Sequence, residues 1–283
     1  MRIGFIGLGR MGLPMTRHIV GAGHDVIAFD ISKQARERAE QSGVEIASSV
    51  CDLADAEIVC SSLPATEHVE AAYFGSGGLV DLLAPGTACI DLSTISITGS
   101  RALAARCRER RVEFVDAPVS GTSIHAEAGT LVVMAGGQAD VIERARPALE
   151  PFASCVEHVG DNGAGLELKL ITNRLLTTHL VAIAEAIVSI EQTDLSVPQC
   201  IELLRSGAVP KLLDYKARPL ADRDFTPQFT VDLMRKDLRL AAAELAKMPL
   251  ASAAHEIVEA TSSSGLGDDD LAAIITIVEQ RLG

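Results

Sequence analysis

The segment "RIGFIGLGRMGLPMTRHIVGAGHDVIAFD" limits what this chain can fold into more than any other part of it. A strand-like run, "RIGFIG", leads straight into Gly7, Gly9 and Gly12 in G-x-G-x-x-G spacing. A helical pattern follows with Pro14 near its first turn, gives out at Gly21 and Gly23, and passes to a second strand-like run ending at Asp30. In such a unit Gly7 permits the tight turn, Gly9 lets the backbone approach a pyrophosphate, and Gly12 lets the helix pack close to the sheet. The pyrophosphate then meets the helix N-terminus. A carboxylate at Asp30 accepts hydrogen bonds from the two ribose hydroxyls and repels a 2′-phosphate, which favours NAD over NADP. Glycine-rich turns are common, and Asp30 also suits a turn before a helix starting near Ser32, so context has to carry the reading.

The context is a change of period along the chain. Up to about residue 160, short apolar runs alternate with helical patterns: "RIGFIG", "DVIAFD", "EIVCSSL", "TACIDL", "VEFVDAPV" and "TLVVMAG". Runs of this kind are strands buried on both faces, and the alternation predicts a doubly wound, mostly parallel sheet in an α/β Rossmann domain over residues 1–162. Beyond Gly165 the apolar positions recur at helical spacing, with Pro198, Pro210, Pro219 and Pro227 marking breaks. Residues 163–283 are therefore expected to form an all-α domain. It begins with a long helix from about Leu166 to Gln192 whose apolar circumference implies burial. So thin a helical core predicts a homodimer or homotetramer. The polar stretch "SSSGLGDDD" reads as a turn before the last helix, with an aspartate to cap it.

Composition removes several classes. A net charge of −13 repels nucleic acid, so an anionic ligand has to be held by local fields such as helix N-termini and a few lysines. The six cysteines lack C-x-x-C spacing and read as reduced residues of a cytoplasmic protein. The N-terminus has no secretory pattern, and the apolar stretch from Leu175 to Ile190 is shorter than a bilayer span, so no membrane role is expected. No metal-ligand spacing and no G-x-S-x-G nucleophile elbow occurs. A flavin uses the same glycine fingerprint, but an all-helical second half is not what a typical flavin enzyme needs.

Two lysines stand out. In "NGAGLELKLITNRLL", Lys169 and Asn173 lie four residues apart, on one face of the long helix. A buried lysine costs several kcal/mol (~3–5) unless it is paired or gives up its proton, and a desolvated lysine exchanges a proton nearer neutral pH. That suits proton transfer to and from a carbinol oxygen. Equally, Lys169 can snorkel to the surface from the start of the helix. Lys236, in "DLMRKDLRLA", taken alone is a solvated surface residue.

The stretch "DAPVSGTSIHAEAGTLVVMAGG" places small hydroxyl and glycine residues at the tip of an apparent strand. With it, three separated segments resemble the β-hydroxyacid dehydrogenases, the group containing 3-hydroxyisobutyrate dehydrogenase, tartronate semialdehyde reductase and relatives of 6-phosphogluconate dehydrogenase. The resemblance covers essentially the whole chain. It implies that "GFIGLGRMGLPM", with Gly7, Leu8, Gly9, Arg10, Met11 and Gly12, is the cofactor fingerprint. It likewise implies that Leu63 and Pro64 in "SLP" lie over the cofactor and that Ser93 and Thr94 in "LSTIS" approach the nicotinamide ribose. Ser120 and the amides of Gly121 and Thr122 would bind the substrate carboxylate as a neutral cradle of donors. Lys169 would be the general acid/base, Asn173 its partner, and Lys236 would close over cofactor and substrate.

One departure stands in "DAPVSG": the family usually has a second glycine where this chain has Thr122, followed by Ser123. A threonine narrows the pocket and adds a hydroxyl, which bears on the substrate more than on the reaction. His125, in the same loop, has no role in the family and is left out. The expectation is an NAD-dependent oxidoreductase interconverting a short, anionic 3-hydroxy acid and its semialdehyde. Its first alternative is a reductase acting on tartronate semialdehyde, succinic semialdehyde or sulfolactaldehyde. A rival of another class is a non-catalytic dinucleotide-binding protein.

Overall fold

The computed structural model describes residues 1–75, 78–206, 213–246 and 248–282. Nine strands form one sheet among these residues: β1 (Arg2–Ile6), β2 (Asp25–Phe29), β3 (Glu45–Ile46), β4 (Ile58–Ser61), β5 (Ala88–Asp91), β6 (Glu113–Asp116), β7 (Val119–Ser120), β8 (Leu131–Gly136) and β9 (Ala153–Gly160). The helices between them are α1 (Gly12–Gly21), α2 (Lys33–Glu40), α3 (Thr66–Phe74), α4 (Ile97–Glu109), α5 (Ser123–Glu127) and α6 (Ala139–Leu149). Then come α7 (Ala164–Glu191), α8 (Val197–Ser206), α9 (Leu213–Asp222), α10 (Val231–Glu244), α11 (Pro249–Thr261) and α12 (Ile274–Leu282).

Strands β3-β2-β1-β4-β5-β6 run parallel in that order, the doubly wound arrangement of dinucleotide-binding sheets. The order reverses between β1 and β4, so the loops after these two strands diverge and leave a crevice at their carboxyl ends. β8 is antiparallel to β6 and β7, and β9 pairs parallel with β8. The central strands are buried on both faces, as their unbroken apolar runs require. Ile3, Phe5, Ile19, Ile90, Val133 and Phe152 are among the core residues of this layer.

The chain separates into two compact units, Met1–Lys169 and Leu170–Gly283, so the residues of α7 are divided between them. In the second unit Leu180, Ile183, Ala184 and Ile187 of α7 share a core with Met234 and Leu238 of α10, Val258 of α11 and Ile275 near the C-terminus. At 28 residues α7 is long and apolar enough to cross a membrane, which corrects the expectation drawn from Leu175 to Ile190, and one face of it packs into the core of the second unit. Nor is it buried all round, since Ile171 and Leu175 are more than half exposed.

The prolines behave unevenly. Pro198 sits in the first turn of α8, where its missing N–H costs nothing, and Pro227 lies between α9 and α10. Pro219 is inside α9 rather than at a break, so that helix forgoes one N–H donor without ending there. Pro210 lies outside the described residues. Asp270 closes the polar stretch as foreseen: its carboxylate accepts the Ala272 N–H at 3.0 Å and caps the short turn leading into α12.

Candidate active site

The crevice at the β1/β4 reversal is a cavity of about 520 Å³ whose lining includes Gly7, Gly9, Asp30, Leu63, Pro64 and His68. Gly7 has φ +96°, a left-handed conformation, and a Cβ there would meet the Ser62 carbonyl at 2.3 Å. At Gly12 a Cβ would meet the Gly7 carbonyl at 1.8 Å, so α1 can start this close to β1 only with glycine. Gly9 has open space where a side chain would be, leaving bare backbone facing outward. No side chain caps the N-terminus of α1. These features together fit a pyrophosphate held against main-chain N–H groups.

Asp30 follows β2 at the rim of this cavity. Its Oδ2 accepts the Leu8 N–H at 2.7 Å and its Oδ1 accepts the Ser32 N–H at 2.7 Å, so it braces the glycine loop and also precedes α2, which Ser32 caps. Each carboxylate oxygen keeps a second lone pair for a ribose hydroxyl. The Arg36 guanidinium donates to the Asp30 and Ile31 carbonyls and does not engage the Asp30 carboxylate in a hydrogen bond. Of the other fingerprint residues, Arg10 is exposed and Met11 half-buried at the head of α1. The Leu63 N–H donates to Ser93 Oγ at 2.8 Å, which ties the loop after β4 to the loop after β5; Thr94 follows, half-buried.

The "DAPVSG" segment does two jobs in the first unit. Asp116, its first residue, is buried at the end of β6, where Oδ1 accepts the Gly163 N–H at 2.7 Å and Oδ2 accepts the Leu166 N–H at 3.1 Å. That carboxylate fixes the first turn of α7, and Lys169 follows three residues after Leu166. Burial pushes the Asp116 carboxyl above its ordinary range, with these N–H donors opposing the shift. A Cβ at Gly165 would meet the Met134 carbonyl at 2.2 Å, so the start of α7 lies directly against the sheet. Lys169 itself is 7% exposed.

At the other end of the segment, Ser120 closes β7 half-buried, and Gly121 turns the chain with φ +131°. Thr122 caps α5, and here the structure amends the sequence reading. The Thr122 N–H donates to His125 Nδ1 at 3.1 Å, and Thr122 Oγ1 lies 3.1 Å from the same nitrogen. The amide assigned to the substrate acid group is therefore engaged by His125, the residue left without a role. The spacing from cap to third helical position was the signal available for it.

In the second unit Asn173 and Lys236 meet at one residue. Asn173 Nδ2 donates to Asp237 Oδ2 at 2.6 Å, and Lys236 Nζ lies 2.7 Å from Asp237 Oδ1. A carboxylate only accepts, so Asn173 must turn its nitrogen to Asp237 and its carbonyl oxygen the other way. Asp237 is 2% exposed. Sequence reasoning passed over it because "KD" within a mixed charged helix looks like a solvated pair.

Two family models together match nearly the whole chain. Residues 2–160 match the family model described as the NAD binding domain of 6-phosphogluconate dehydrogenase. Residues 163–278 match the one described as NAD-binding of NADP-dependent 3-hydroxyisobutyrate dehydrogenase. The chain is 35% identical to the NAD-dependent L-serine dehydrogenase of Pseudomonas aeruginosa over 100% of its own length and 99% of the relative's. It is 32% identical to the 3-sulfolactaldehyde reductase of Escherichia coli, covering 99% and 97% respectively. The solved structure of Mycobacterium tuberculosis 3-hydroxyisobutyrate dehydrogenase with L-serine superposes with a TM-score of 0.88 at 36% identity, over 98% of each chain.

Proposed function

The chain belongs to the β-hydroxyacid dehydrogenase family of NAD-dependent oxidoreductases, and from that premise we propose that it interconverts a short 3-hydroxy acid and its semialdehyde. NAD, when bound, supplies the hydride acceptor for oxidation of the carbinol carbon. Gly7, Gly9, Gly12 and the N-terminus of α1 hold its pyrophosphate, Asp30 its adenosine ribose, and Leu63, Pro64, Ser93 and Thr94 line the remainder of its path. Ser120 and Gly121 present uncharged donors to the acid group, beside the Thr122 hydroxyl. Lys169 takes the hydroxyl proton during oxidation and returns it to the carbonyl oxygen during reduction. Asn173, held by Asp237, orients the reacting oxygen, and Lys236 contributes positive charge toward the anionic ligands.

The observation that carries this reading is the placement of Lys169: a buried lysine residue on a helix whose first turn is fixed by Asp116, with Asn173 one turn further on. Lys169→Ala is expected to lower kcat by at least about 100-fold while NAD binding persists; full turnover in that variant would remove the lysine from the mechanism. A spectrophotometric panel of L-serine, 3-hydroxyisobutyrate, glycerate, 4-hydroxybutyrate and dihydroxypropanesulfonate identifies the acid. A second reading, a sulfonated substrate, is favoured by Thr122 standing where the family usually has glycine, together with the reductase relative.

A further inference from the structure

One buried cluster beside the dinucleotide crevice centres on Asp91, which has no part in the roles above. Ser61, Asp91 and Asp116 are register partners at the carboxyl ends of β4, β5 and β6, and all three are fully buried. Tyr73 of α3 donates its hydroxyl to Ser61 Oγ at 3.0 Å, and Ser61 Oγ donates to Asp91 Oδ1 at 2.7 Å. Ser93 Oγ donates to the same carboxylate oxygen at 2.6 Å, supported by the Ser93 N–H at 3.3 Å. A hydroxyl has one proton, so Ser93 Oγ, having given its own to Asp91, can only accept from the Leu63 N–H. Every donor in this chain of bonds therefore points toward one carboxylate, while Asp91 Oδ2 is buried without a hydrogen-bond partner among the described residues.

We propose that Asp91 is a positioning residue for the coenzyme: its negative charge fixes Ser93, Ser93 fixes the Leu63 amide, and Leu63 forms a wall of the crevice. The inference rests on that crevice being the NAD site. Bonds to an ionised acceptor are about twice as strong as neutral ones, so neutralising Asp91 loosens the wall without breaking the fold. The charge is removable near neutrality. Burial pushes the Asp91 carboxyl up to about 6, with the neighbouring Asp116 acting in the same direction and the serine donors opposing. The other titratable groups around it are Tyr73 on α3, Cys60 on β4 and Cys89 on β5, all pushed up by burial, which leaves them neutral in the same range. Asp116, on β6, is the second acid in the cluster.

The test is NADH binding, followed by fluorescence enhancement from pH 5 to pH 8.5, with no substrate present. In the parent, Kd rises about five-fold as pH falls through about 6. Asp91→Asn copies the protonated acid, so its Kd stays at the weak, low-pH level throughout. Ser93→Ala, which leaves the buried acid in place, also binds weakly and without the step. His68 lines the same crevice, and His68→Gln is expected to retain the step. A parent-like step in Asp91→Asn, or its loss in His68→Gln, overturns the proposal. If Asp30→Ala binds NADH as tightly as the parent, the assignment of the crevice fails, and the proposal falls with it.

Discussion

The two units bury their carboxylates by different means. In the dinucleotide-binding unit Asp91 and Asp116 accept hydrogen bonds only from neutral hydroxyl and main-chain N–H donors. In the helical unit Asp237 and Asp270 face lysines: Lys236 Nζ lies 2.7 Å from Asp237, and Lys216 Nζ lies 2.5 Å from Asp270 with both side chains under 5% exposed. The contrast follows from the backbone. The ends of parallel strands and the first turn of a helix present N–H groups with no partner, whereas a helix interior has used all of its own. Where main-chain donors are lacking, a side-chain cation has to serve. Asp270 sits between these cases, since it also accepts the N–H groups of Gln228, Phe229 and Ala272.

The largest consequence concerns the paired acids. Asp270→Ala strands the Lys216 ammonium in the core and leaves three main-chain donors without an acceptor, which is expected to cost about 3–5 kcal/mol of stability in urea unfolding. Adding Lys216→Met removes the stranded charge and should recover part of that loss. If the double variant is no more stable than Asp270→Ala, the main-chain donors rather than the ion pair dominate, and the distinction between the units dissolves.

A smaller effect of opposite sign belongs to the unpaired acids. The folded-state value for Asp91 is raised above the ordinary carboxylate range near 4, so the folded protein holds that proton more tightly than the unfolded chain. The resulting stabilisation is fully present below about pH 4 and is lost as pH rises through about 6. At pH 8 the ionised acid therefore costs on the order of 3 kcal/mol, and Asp91→Asn should be more stable than the parent there, with the gap closing by pH 4. A variant that is more stable yet binds coenzyme more weakly would place Asp91 among residues kept for function at the expense of stability. Equal stability at both pH values would mean that the serine and tyrosine donors fully offset desolvation.

The same contrast explains what the sequence disclosed. The glycine spacing, Asp30 and the change from strand runs to helical period are local patterns, and β1, α1, β2 and the helical second half appear where those patterns put them. Lys169 stood out because a lysine amid apolar helical positions violates the period. Asp91 and Asp116 close strand patterns and carried no signal of their own; their burial depends on β4, β5 and β6 lying side by side, which local patterns do not encode. Lys216 and Asp270 are 54 residues apart, and nothing in either segment points to the other. Pro219 misled because a proline inside a helix and a proline after one look alike without the packing around them.

An exposed pair provides the smallest effect and a control on the larger ones. Arg101 donates to Glu167 at 2.7 Å, with the side chains 53% and 42% exposed, and its Nε also bonds the Asn162 carbonyl just before α7. The location, beside the helix that carries Lys169, resembles that of Asp116, but the solvent differs. Water screens this pair and already solvates both charges, so Glu167→Gln is expected to change stability by no more than about 0.5 kcal/mol. Arg101 keeps its main-chain bond, Asp116 still holds the Gly163 and Leu166 N–H groups, and kcat should match the parent. A large fall in kcat with unchanged stability would show that the surface pair helps to fix the start of α7, a task assigned here to the buried carboxylate alone.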